Sequence, residues 1–145
     1  MSLRAERLAR YRLAREWIAP RTSLRAFEAL VAEALDDLPK AVHDKMENVA
    51  VVVERRADAD RLAEFGYAPD EDLLGLYEGV NQLERAGNYH LVVPDRITLF
   101  WRPIIEEVRP GGRDAIRDEI RATIIHEVAH HFGMDDLELE DLGLG

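Results

Sequence analysis

The chain has 145 residues, a formal charge of −10, 47% apolar residues and no cysteine. That length can bury one real hydrophobic core, and the mixed composition excludes a disordered or low-complexity protein. The missing thiols exclude disulfides and leave histidine and carboxylates as the available metal ligands, and no apolar run approaches the roughly 18 residues of a membrane span.

Charge is unevenly placed. Seven Arg against Glu6 and Glu16 give residues 1–25 a net +5, which leaves −15 for the rest. An acidic body disfavours nucleic-acid binding and suits neutral or basic partners, or simply keeps the protein in solution. With neither a secretory h-region nor a membrane span in the sequence, the expected location is cytoplasmic.

Leu3, Leu8, Tyr11 and Ile18 recur at helical spacing among the arginines, so residues 3–18 read as a basic amphipathic helix ended by Pro20. Residues 1–22 are taken as an extension and residues 23–145 as one domain. Thr22 or Ser23 can N-cap a second helix whose apolar face is Phe27, Leu30, Val31, Ala34 and Leu35. Pro39 suits the first turn of a short third helix through about Met46. Val49–Val53 is apolar throughout and β-branched, which predicts a strand buried on both faces and central in its sheet.

Residues 58–65 read as a short helix closed by Gly66, followed by a loop over 67–72. Leu73–Tyr77 reads as a second strand, with Gly75 and Gly79 marking a bulge or a close backbone approach. Leu91–Val93 and Ile97–Trp101 supply one or two further strands, closed off by Pro103 and Pro110-Gly111-Gly112. The last long helix starts near Asp114 as N-cap and carries Ile116, Ile120, Ile124, Val128 and Phe132 on one ridge, with Gly133 as the residue past its end. The order of helices, strands and a final helix is α+β: a small single domain with a three- to four-stranded mixed sheet packed on helices.

Inside that helix lies His126-Glu127-Val-Ala-His130. Two His four apart project from one helical face, one turn apart, and can share one Zn²⁺. Glu127, between them, can serve as general base toward a water at the metal. A catalytic zinc usually takes three protein ligands, and the sequence continues only nine residues past Asp136, so a glutamate from a later helix is not expected. Gly133 lets the chain reverse, and the spacing His126-x-x-x-His130-x-x-Gly133-x-x-Asp136 favours Asp136 as third ligand, with Asp135 as its neighbouring alternative. Glu138 and Glu140 read more simply as a solvated tail. His131 projects about 100° from His130 and reads as a supporting or surface residue, His43 as incidental, and His90 as a residue opening a strand. Tyr67, Tyr77, Tyr89 and His90 are the candidates for a second oxyanion donor.

On these residues the chain resembles the minimal zincin family, short bacterial metallopeptidases. The resemblance is carried by 123–136, Gly75-Leu-Tyr-Glu-Gly79, Pro94–Phe100, Phe27–Leu35 and Val49–Val53. It covers about residues 23–142, leaves out the basic N-terminus, and lacks the separate downstream Met-turn of metzincins, since Met134 adjoins Gly133. It implies a zincin-like domain with His126, His130 and Asp136 on zinc and Glu127 as base. The resulting expectation is a zinc-dependent hydrolase of peptide bonds, with a peptide or protein as substrate and no nucleic-acid or membrane partner. The alternative is a catalytically silent zincin-like module that binds a protein or peptide. Zinc binding needs only the ligands, so Glu127 favours catalysis.

Overall fold

Ser23 opens the first helix of the computed structural model, which describes residues 23–79 and 93–134. Its side-chain oxygen accepts a hydrogen bond from the Ala26 N–H at 3.1 Å, an N-cap that satisfies one of the helix's orphan donors. Helix α1 (Leu24–Asp36) buries Phe27, Leu30, Val31 and Ala34, the face expected from the sequence. A short helix α2 (Lys40–Lys45) follows, with Pro39 at its N-cap and Met46 at its C-cap. The predicted basic helix over 3–18 lies outside the described residues.

Strand β1 (Val49–Glu54) pairs in parallel with β3 (Asp95–Phe100), and β2 (Gly75–Glu78) pairs antiparallel with the other side of β3. The described sheet therefore has the order β1-β3-β2, and β3 is central. Among the described strands the Val49–Val53 run is thus at an edge, not the centre. A continuous apolar run reports contact on both faces and says nothing about which edge is paired. All six β1 residues are only half-buried, whereas Ile97, Thr98, Leu99 and Phe100 of β3 are buried.

Cross-strand partners share a face. Gly75, Tyr77, Ile97, Leu99 and the valines 49, 51 and 53 accordingly look toward α1 and the long C-terminal helix, where the main core lies. On the opposite face lie Leu76, Thr98 and Phe100. Helix α3 (Ala59–Glu64) is capped by Asp58 and followed by Gly66 at φ 81°. Its Arg61 pairs with Glu54 of β1. Arg56 binds Asp72 at 2.9 Å and Glu106 at 2.5 Å, tying the segments flanking α3 to the next helix.

That next helix, α4 (Trp101–Val108), replaces the strand end and turn expected at Trp101–Pro103. Pro103 is its third residue, a first-turn position where the missing N–H has no intrahelical partner to lose. Val93 is not in a strand, and residues 91 and 92 lie outside the described residues. Helix α5 (Arg113–His131) begins after Gly112 as N-cap, with Asp114 in its first turn and not at the cap. Among the described residues no helix is long and apolar enough to cross a membrane.

Candidate metal centre

Helix α5 is anchored by Ile116, Ile120, Ile124, Ile125, Val128 and Ala129, all buried against the sheet and α1. Phe132, placed by its spacing on the same ridge, is 41% exposed because the helix has already ended there, with Phe132 as its C-cap. Gly133 sits at φ 65°. The Met134 N–H bonds the Ala129 carbonyl at 2.8 Å and the Gly133 N–H bonds that of His130 at 3.4 Å, a Schellman closure that only a left-handed residue permits cheaply. The helix thus ends at the glycine that the spacing singles out.

With the apolar ridge fixed inward, His126 and His130 are left exposed, one turn apart on the outer side, and Glu127 is half-buried between them. Strand β2 lies along the helix. The Phe100 N–H donates to the Leu74 carbonyl at 2.9 Å. Because such bonds alternate in an antiparallel ladder, Leu76 and Glu78 turn their backbone groups toward β3, while Gly75 and Tyr77 turn theirs to the outer edge. There the Tyr77 N–H donates to Glu127 Oε2 at 3.2 Å. Burial pushes the Glu127 carboxyl above the usual carboxylate range, opposed by the Tyr77 N–H and then by His130 and His126. Glu119, nearly two turns before His126, is also raised, by burial and by Glu107, with His126 opposing.

The Tyr77 ring stacks on His131 with centroids 3.8 Å apart and planes at 16°, and its hydroxyl donates to Asp95 Oδ2 at 2.7 Å. His131 therefore packs the strand onto the helix, in keeping with a supporting role beside the motif. A cleft of about 420 Å³ opens here, lined by Glu127, His130, His131, Leu76 and Tyr77, with Phe65 and Tyr67 from the segment after α3. Of the proposed oxyanion donors, Tyr67 and Tyr77 line the cleft, but the Tyr77 hydroxyl is engaged by Asp95; Tyr89 and His90 lie outside the described residues. The sequence signal for Phe65 and Tyr67 was weak: only their aromatic character beside Gly66 set them apart. His43 lines a separate groove beside β1, away from the motif.

The described donors fit a zinc ion in type. Two exposed imidazoles stand one turn apart, and the intervening carboxylate accepts from the Tyr77 N–H of β2. Among the described residues no group of three metal-ligating side chains converges; Asp136, with Asp135, Glu138 and Glu140, lies outside them.

A family model described as zincin-like metallopeptidase matches residues 46–145, which is 100 of the 145 residues. No curated protein matches the chain. The match takes in β1, β2, β3 and the whole of α5 with its motif, and the chain belongs to the zincin-like metallopeptidase family.

Proposed function

We propose that the protein is a zinc-dependent peptidase in which His126, His130 and Asp136 hold the metal and Glu127 is the general base. The observation that carries this reading is the Tyr77 N–H bond to Glu127 Oε2, which anchors one oxygen of a half-buried carboxylate beside both motif histidines and leaves Oε1 to act. When bound, zinc supplies a Lewis acid that acidifies water and polarises a carbonyl.

The chain's own residues do the rest. With the Tyr77 N–H held by Glu127, the remaining outward backbone groups of β2, those of Gly75 and the Tyr77 carbonyl, suit an extended peptide laid along the cleft as an added strand. Glu127 Oε1 takes a proton as the water oxygen bonds to the scissile carbonyl carbon. It returns that proton to the amine nitrogen as the C–N bond breaks. The raised carboxyl makes Glu127 a stronger base than an ordinary glutamate. Tyr67, in the same cleft with its hydroxyl not drawn to Asp95, is the donor we assign to the carbonyl oxygen as it gains charge. The substrate is a peptide or protein segment met in the cytoplasm. Residues 23–145 form the catalytic domain and residues 1–22 a basic extension.

The test is hydrolysis of a quenched fluorescent peptide library by the zinc-loaded protein, abolished by chelation and restored by zinc. Library binding without cleavage would instead favour a peptide-binding module.

A further inference from the structure

Strand β2 meets helix α5 in a matched register. Gly75 lies over Thr123, Tyr77 over Glu127 and Gly79 over His131. Two strand residues advance about 6.6 Å and four helical residues about 6.0 Å, so three successive contacts stay in step. They are not equally tight. A Cβ on Gly79 would sit 3.4 Å from His131 Cε1, close to ordinary contact, whereas one on Gly75 would come within 2.6 Å of Thr123 Cγ2. The Thr123 hydroxyl is buried and has no hydrogen-bond partner among the described residues, so what Thr123 presents to the strand is its methyl.

We propose that the Gly75–Thr123 contact is the spacer that seats the Tyr77 N–H on Glu127, and that these two are positioning residues for the general base. The proposal rests on the reading of Glu127 as base. Restoring normal van der Waals separation at Gly75 would lift β2 by about 1 Å. A 3.2 Å hydrogen bond two residues along would then be stretched past the range of a real one. The carboxylate would lose its anchor while the histidines, held by α5, stayed in place. Glu127 Oε1 would no longer be aimed.

The experiment is amide hydrogen exchange at Tyr77, followed by NMR in the metal-free protein, alongside zinc content and peptide-library hydrolysis. Gly75→Ala is expected to speed Tyr77 exchange about tenfold or more, the equivalent of one lost hydrogen bond. It should keep about one zinc per chain and lower library hydrolysis about tenfold or more, in kcat with KM little changed. Gly75→Ala with Thr123→Ala returns the missing space, since only the 3.3 Å approach to the Thr98 carbonyl oxygen remains, and should restore both exchange and hydrolysis.

Thr123→Val keeps the methyl and removes the hydroxyl, so this well-folded variant should leave Tyr77 exchange within about twofold of wild type. The proposal is overturned if Gly75→Ala leaves Tyr77 protected, if the double variant exchanges as fast as Gly75→Ala, or if Thr123→Val exposes the amide. Exchange needs no catalysis. A wild type that hydrolyses nothing would therefore sink the peptidase reading while the exchange arms still decide the contact.

Discussion

The backbone N–H of Tyr77 lies 3.2 Å from Glu127 Oε2, which joins an edge strand of the described sheet to the motif carboxylate through a group that no substitution except proline removes. The consequence is that Glu127 is directed by the fold itself, while its neighbours His126 and His130 stand exposed on either side of it.

The ligand assignment predicts a sharp pattern of metal loss. His130→Ala and Asp136→Ala should each leave the purified protein with little zinc, while Asp135→Asn and His131→Gln should retain about one equivalent. Elemental analysis of protein made without added zinc reads this directly. Zinc retained in Asp136→Ala but lost in Asp135→Asn would move the third ligand by one residue.

Burial of Glu127 predicts a pH-dependent stability in the metal-free protein. Its folded carboxyl is raised, so the native state binds the proton more tightly than the unfolded chain does. The favourable contribution is complete below the unfolded value of about 4.3 and is lost as pH rises through the raised folded value. Glu127→Gln, which does not ionise, should therefore melt higher than wild type at pH 7 in EDTA, and this advantage should vanish at acid pH. Parallel melting curves across that range are the check; an advantage that grew toward low pH would contradict it.

The two cleft phenols should separate function from packing. Tyr77→Phe loses the hydroxyl bond to Asp95 and should cost about 0.5–1.5 kcal/mol in denaturant unfolding. Its effect on peptide hydrolysis should be small. Tyr67→Phe touches a 37%-exposed side chain and should leave stability unchanged while lowering kcat about 10²–10³-fold.

At the end of α5, Gly133 occupies a left-handed conformation at φ 65° with nothing near the position of an added Cβ. Gly133→Ala should cost about 1–2 kcal/mol from backbone strain alone. Zinc affinity should fall with it, because the strain lies between His130 and Asp136. A variant as stable as wild type would mean that the turn opens without penalty.

Much of this site was legible from local chemistry. Ser23, Gly66 and Gly133 announce helix ends through caps and φ requirements that any chain must obey. Gly75 and Gly79 marked a bulge or a close backbone approach, and a close approach is found at Gly75, against Thr123, whereas Gly79 lies near ordinary contact distance of His131. Other features depended on partners distant in sequence. Which edge of Val49–Val53 is paired is a property of β3, not of the valines, and a Pro-containing octapeptide such as Trp101–Val108 carries too little periodicity to declare a helix. The Tyr77 N–H had no signature at all, because every residue but proline has one; only the register of β2 on α5 brings it to Glu127.

The central claim, a zinc held by the motif histidines with Glu127 as base, is tested most directly by Glu127→Gln beside wild type and His126→Ala. Zinc content and peptide-library hydrolysis would be measured on the same preparations. The expected result is about one zinc in both wild type and Glu127→Gln, little in His126→Ala, and hydrolysis by wild type alone, reduced about 10²–10⁴-fold or more in Glu127→Gln. Equal hydrolysis by wild type and Glu127→Gln, or a wild type that takes up no zinc, would contradict it.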